Sequence, residues 1–239
     1  MGAGCDVVLA QSTSFDRGLG FDAHARLKAR YDYSYIEAAA VQIGDDIIEV
    51  GAWGTYIVNG IMDATLPVQI GNGNYVVTKA AVNDREFSLN IDRIQNGEAK
   101  ETVVSLKAFK DLVSVRFMQT TKRNFGDVRG IMGDFNQGKH FARDGYTVIE
   151  DANEFGQEWR VLPGEDPELF ATPTKDPYAK CTIGKSINLR DARRLGENTI
   201  SVEAATKACK HYSAPGAVQA CIYDVIAMGD LEAAKAGAV

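Results

Sequence analysis

The sequence predicts a mainly β fold, an antiparallel β-sandwich carrying a small C-terminal α-helical appendage. Three observations lead there. Strand-like runs follow one another from Cys5 to about Thr121 at short spacing. Glycine, asparagine and aspartate turn signals separate them, as in sandwiches and barrels. Beyond Asp151 the character changes, first to a proline-bearing arm and then to alanine-rich segments with helical spacing.

The strand-like runs, in order, are CDVVLAQ, FDAHARLKA, YSYIEAAAVQIG, DIIEVGA, TYIVNG, LPVQI, NYVVTKAAV, FSLNIDRI, ETVVSLKAF and LVSVRFMQ. Turns fall at Ile43-Gly44-Asp45-Asp46, Val58-Asn59-Gly60, Gly71-Asn72-Gly73 and Gln95-Asn96-Gly97. Alternation is clean in Phe87, Leu89 and Ile91 and in Leu112, Val113, Val115 and Phe117, which places one face of each strand in a core and the other in water. The aromatic residues read as core packing throughout. From Asn153 to Cys181 the chain carries four of its six prolines and reads as a connecting arm that wraps. INLRDARRLG and the stretch from Ser201 onward read as helical, with Ser201 followed by Glu203 and Ala204 as a helix start. The division expected is therefore a β domain over 1–181 and a helical, cysteine-containing tail over 182–239.

A chain of 239 residues with 45% hydrophobic and 24% charged residues has the composition of a folded globular protein and can bury a sizeable core. A net charge of -6 and a pI near 5.2 argue against a nucleic-acid partner, because binding a phosphate backbone needs clustered Lys and Arg. No apolar run approaches the ~20 residues that a membrane-spanning helix needs. The N-terminal MGAGCDVVLAQ lacks the basic and apolar regions of a secretory signal, and Asp6 stands where myristoylation wants Ser or Thr.

Catalytic patterns are not found. His24, His140 and His211 are far apart and form no zinc-ligand pair. GNGN at 71–74 reads as a hairpin turn rather than a phosphate loop, no Gly-x-Ser-x-Gly elbow occurs, and Asp45 and Asp46 read as turn residues. The stretch GIMGDFNQGKHFARDG, 130–145, is the one candidate centre. It is not an EF-hand: counting from Asp134, Lys139 stands at the position that needs glycine and Gly145 where a bidentate glutamate belongs.

Four landmarks in order carry a resemblance: the Cys5-x-x-x-Leu9 strand, GIMGDFN from Gly130, the Phe155-Gly156-x-x-Trp159 segment, and a cysteine after the arm at Cys181. Together, over roughly residues 5 to 181, they resemble a von Willebrand factor type D domain. The tail, with Cys221, Tyr223 and Asp224, is more weakly similar to the cysteine-rich segment that often follows such domains. Two departures stand out. The family's opening Gly-Asp-Pro-His and Thr-Phe-Asp-Gly strands would lie upstream of Cys5, so the resemblance implies a missing N-terminal edge, an unpaired sheet edge and a longer secreted parent protein. Met132 stands where the family's turn usually has cysteine, whose bridging partner lies in the same missing region.

What the resemblance implies for the site is a structural calcium ion in the 130–145 loop. Asp134, Asn136 and Asp144 would offer side-chain oxygens and the region of Gly138 a carbonyl, in keeping with the oxygen preference of a hard cation. The family's upstream aspartate is missing from this set, and Lys139, His140 and Arg143 would oppose a cation, so the alternatives are a weakened calcium site and an acidic turn. Four cysteines allow three connectivities. The resemblance favours Cys5 with Cys181, leaving Cys209 with Cys221, and closure of the longer loop would contribute roughly 4 to 5 kcal/mol in the chain-entropy model. Four reduced thiols are the alternative. The function implied is non-enzymatic: a secreted, extracellular adhesion or assembly module of matrix, mucus or coat, with other extracellular proteins or its own copies as partners. A lipid- or small-ligand carrier is the alternative, and an apolar cavity would distinguish it.

Overall fold

The structure is a computed structural model that describes residues 5–30, 33–135, 137–171, 200–213 and 215–235. The chain divides into two compact units, Met1–Ala29 with Tyr35–Ile183 and Arg30–Ser34 with Gly184–Val239.

The first unit holds two antiparallel sheets, each a simple meander. One contains β1 (Cys5–Ser12), β2 (Phe21–Arg30), β3 (Tyr33–Ile43), β4 (Asp46–Gly51), β5 (Tyr56–Val58) and β6 (Ile61–Met62), in that order. The other contains β7 (Val68–Ile70), β8 (Tyr75–Asn83), β9 (Glu86–Gln95), β10 (Glu98–Phe109) and β11 (Leu112–Phe117), again in chain order. Within each sheet every strand is thus beside its sequence neighbour, and short turns set the register. Asn59-Gly60 and Asn96-Gly97 both have two successive positive φ angles, the conformation of the tight hairpin turn whose twist matches the strands it joins.

Both sheets contribute to one hydrophobic core: Val41, Ile43, Ile48 and Val50 from the first, and Ile70, Val77, Phe87, Leu89, Ile91, Val104 and Leu106 from the second. The alternation read in β9 is obeyed, and it continues to Arg93, an inward position that the apolar pattern did not announce. Arg93 is buried and donates from Nη2 to the Tyr75 hydroxyl at 3.0 Å and to Asn124 Oδ1 at 2.9 Å. Tyr75 in turn donates to Asp16 Oδ2 at 3.1 Å. Burial, opposed by Arg93, pushes the Tyr75 phenol up to about 12. Asp16 lies in a single turn, α1 (Phe15–Gly18), where it and Arg17 adopt left-handed φ angles. A second short turn, α2 (Lys122–Phe125), brings Phe125 against Phe15 and Phe21, with ring centroids 5.2 and 5.3 Å away.

The segment after Asp151 differs from expectation. Its first residues form a helix, α3 (Ala152–Glu158), because the Asp151 carboxylate accepts from the N–H groups of Asn153 and Glu154 and all four of the arm's prolines come later. The arm proper then crosses the first sheet. Arg160 pairs with Val7 of β1, the Phe170 ring lies 4.2 Å from the Arg26 guanidinium of β2, and the Ala171 N–H donates to Glu49 of β4 at 2.8 Å. Under it lies a buried polar layer in which Arg26 bonds Asp6 through Nε and Nη2 at 3.0 and 3.1 Å.

The second unit contains α4 (Val202–Ala208) and α5 (Pro215–Met228), followed by a 3-10 turn over Leu231–Lys235. Ser201 caps α4 by accepting from the Ala204 N–H at 3.1 Å, as its sequence signal predicts. Cys209 and Cys221 join the two helices through a disulfide with a Cα separation of 6.0 Å. Together with Ala205 and Val225 they form a small core of their own. INLRDARRLG lies outside the described residues.

Candidate functional site

The 130–145 stretch begins as an added edge on β1. Gln11 and Arg129 exchange backbone bonds at 2.7 and 3.0 Å, and Ile131 and Met132 donate to the carbonyls of Val8 and Leu9 at 2.9 and 3.0 Å. Further along, Val8 donates to Trp159 and Val161 to Asp6, at 2.8 and 2.9 Å. The edge expected to be unpaired is therefore covered, because the chain returns to β1 from two later segments. The first glycine of the motif permits this approach. Gly130 has φ +146°, and a Cβ there would come within 2.3 Å of the Leu9 carbonyl oxygen. Met132 is 52% exposed.

The proposed ligands occupy separate turns. Asp134 closes one: its N–H donates to the Lys139 carbonyl at 2.9 Å, its carbonyl accepts from Gly138 at 2.8 Å, and its carboxylate accepts from the Gln137 N–H at 2.7 Å. Asn136 lies outside the described residues. Asp144 organises the next turn, between Phe141 and Val148. Its Oδ1 accepts from the N–H groups of Tyr146 and Thr147, both at 2.9 Å, and its Oδ2 from the Thr147 hydroxyl at 2.6 Å. The Thr147 hydroxyl, then the two N–H groups, hold the Asp144 carboxyl below its ordinary value. Among the described residues no three His, Cys, Asp or Glu side chains form a group able to hold a metal.

The cationic neighbours of this loop are engaged elsewhere. His140 stacks on Phe155 with centroids 4.7 Å apart, and Lys139 lies 5.9 Å from the Phe141 ring. Arg143 binds both oxygens of Asp166 and the carbonyls of Glu158 and Arg160. Its guanidinium also lies 5.0 Å from the Trp159 ring. The Phe-Gly-x-x-Trp segment thereby gains a packing role. Phe155 and Trp159, one helical turn apart, bury themselves against Val8 and Val161, and the indole N–H donates to the Phe141 carbonyl at 3.0 Å.

A second polar centre lies at the end of β1 and was not legible in the sequence. Asp127 is the acceptor for the Ser12, Thr13 and Ser14 hydroxyls and for the Thr13 and Ser14 N–H groups. Burial alone would raise its carboxyl, but these bonds to the charged form, from Ser12, Ser14 and Thr13, outweigh it and hold it well below the carboxylate range. Beside it opens a cavity of about 470 Å³ lined by Gln11, Asp22, Gln42, Arg129 and the Ser12–Thr13 wall among others. Behind Asp22 sits His24, only 1% exposed, with Nε2 at 2.9 Å from Asp22 Oδ1. The clue in the sequence is the Gln-Ser-Thr-Ser run at the end of β1, but its partner Asp127 is more than a hundred residues away.

Among the cysteines, Cys209 and Cys221 are bonded to each other. Cys5 is also disulfide-bonded, and Cys181, its expected partner, lies outside the described residues. His211 packs beside Tyr212 at 4.3 Å, and its Nδ1 is 3.1 Å from the Ala208 carbonyl oxygen. No helix among the described residues is long and apolar enough to cross a membrane. No family model matches the chain, and no curated protein matches it.

Proposed function

We propose that the chain is a non-enzymatic extracellular module for adhesion or assembly, of the von Willebrand type D kind, working through other extracellular proteins or its own copies. The observation that carries this reading is the oxidised state of the cysteines. Cys209 is bonded to Cys221 and Cys5 is itself in a disulfide, and such bonds persist in secreted proteins rather than in a reducing cytosol. A carrier would need an apolar chamber. The described core of the first unit is instead filled by its own side chains, with Tyr75, Phe15, Phe87, Phe125 and Leu89 all buried.

The proposal includes a weak structural calcium site in the 130–145 loop, drawn from Asp134, Asn136, Gly138 and Asp144. In its favour are two carboxylates within the 130–145 stretch, in successive turns. It must compete with the turn bonds that Asp144 already accepts.

Secretion of the full chain from a eukaryotic host, followed by thiol labelling and sedimentation, tests the main reading. The expected result is protein without reactive thiols that binds immobilised matrix or self-associates. Labelled cysteines in the native protein, or a stoichiometric extracted lipid, would overturn it.

A further inference from the structure

Two strands and an isolated β-bridge place three polar side chains in one row. Gln11 of β1 is the register partner of Asp22 on β2, and on its other side it pairs with Arg129, so all three point to the same face. Adjacent positions in such a row are roughly 5 Å apart, and the row spans about 10 Å. Gln42, on the neighbouring β3, lines the same cavity. The series across the cavity is guanidinium, amide and carboxylate, with a second amide beside it.

These groups are available to a ligand. Among the described residues, the side-chain amides of Gln11 and Gln42 and the guanidinium of Arg129 form no hydrogen bond to protein. Arg129 is held in place instead by packing: its guanidinium lies flat over Gly145, where a Cβ would come within 2.1 Å of it. Asp22 lies beside His24, whose buried Nε2 is 2.9 Å from Oδ1, and neither of these two atoms has a hydrogen-bond partner. Polar groups kept in fixed positions without partners of their own are what a small-molecule site requires.

The chemistry of the row selects the ligand class. Arg129 only donates, the ionised Asp22 only accepts, and each amide does both, in forked pairs. A ligand that satisfies all four must offer several neighbouring groups that both donate and accept, which adjacent sugar hydroxyls do. The wall sets the Arg129 guanidinium against the carboxylates of Asp22 and Asp127, so an anion entering the cavity meets two repulsive groups and a cation meets the guanidinium, whereas a neutral polyol meets no such conflict. Asp127 adds no demand, since five donors already saturate it.

We propose that the cavity formed by Gln11, Asp22, Gln42 and Arg129 is a binding site for a neutral saccharide unit. It deepens the adhesive reading, and rests on it for the setting in which the sugar is met. The source is a glycan attached to another protein or a free polysaccharide, whose shared chemistry is the ring of vicinal hydroxyls.

The test is saturation-transfer NMR and calorimetry on the full chain with galactose, mannose, fucose and N-acetylglucosamine, and with acetate and ethylammonium as charged probes. At least one sugar should bind saturably. Gln11→Ala and Gln42→Ala should each weaken it about tenfold, the effect of losing a forked hydrogen-bond partner, with an unchanged melting temperature. Lys100→Ala, at the exposed start of β10, should have no effect. If Asp22→Asn fails to fold, the two glutamine variants still decide the matter. Capture by immobilised glycoprotein, lost on enzymatic deglycosylation, or by a soluble polysaccharide, in each case competed by the free sugar, supports the proposal and names the source. No saturable sugar, binding indifferent to both glutamine variants, or preferential binding of acetate or ethylammonium overturns it. None of these failures alters the thiol and sedimentation result, so the two readings can fail separately.

Discussion

Arg143 clasps Asp166 with two parallel bonds, Nη1 to Oδ1 at 2.8 Å and Nη2 to Oδ2 at 2.9 Å, and so ties the loop after the Gly130 motif to the start of the arm. Asp166 also accepts from the Leu162 N–H at 2.7 Å, and its side chain is 2% exposed. Arg143→Ala leaves that carboxylate buried without its cation and should cost about 3 kcal/mol in urea unfolding. Arg143→Lys, which cannot reproduce the fork, should recover only part of this.

Gly130→Ala should be poorly tolerated. The added methyl meets the Leu9 carbonyl, and the φ of +146° disfavours any side chain. A loss of at least about 2 kcal/mol is expected, with faster hydrogen exchange at the Ile131 and Met132 amides that bond β1. An unchanged exchange pattern would mean that the segment is not held to β1.

Cys209→Ser together with Cys221→Ser opens a bridge across a sequence separation of 12. A loop of this size contributes about 2 to 3 kcal/mol in the chain-entropy model. The expected effect is a lower melting temperature for the helices α4 and α5, read by far-ultraviolet circular dichroism, with β-sheet signal retained.

Asp127 makes stability depend on acid. Its folded carboxyl is depressed relative to the unfolded value near 4, so the stabilisation it confers is fully present above that value and is lost as pH falls towards and through the folded pKa. Asp127→Asn should therefore be less stable than the parent at neutral pH, with the gap narrowing below about pH 4. A gap that stays constant down to strong acid would show that the charge of Asp127 is not what its hydroxyl partners stabilise.

Calcium should stabilise the chain weakly. The proposed affinity is about 10⁻⁴ to 10⁻³ M, the weakest range for extracellular sites. Millimolar calcium should then add on the order of 1 kcal/mol. Asp134→Ala should abolish the rise in melting temperature. Asp144→Ala should abolish it too and, by removing three turn bonds, should lower the baseline without calcium. Calorimetry indifferent to calcium would leave the loop as two turns.

The sequence by itself determined what is local. Alternation in β9, the Asn-Gly hairpins and the Ser201 cap are written in neighbouring residues, because strand pleat, turn dihedrals and cap bonds all act over a few positions. The succession of strand-like runs could be read for the same reason. α3 is masked in the sequence by four prolines that follow it, although Asp151 supplies its cap. What only the tertiary structure decided is what depends on distant pairing. The return of 129–132 and 159–161 to the edge of β1, the inward Arg93 matched by Tyr75 and Asn124, and the row of Arg129, Gln11 and Asp22 all join residues from separate parts of the chain. A polar side chain on a strand reads as solvent-facing until the fold supplies its partner, since the cost of burying it is offset only by hydrogen bonds that the linear sequence does not display.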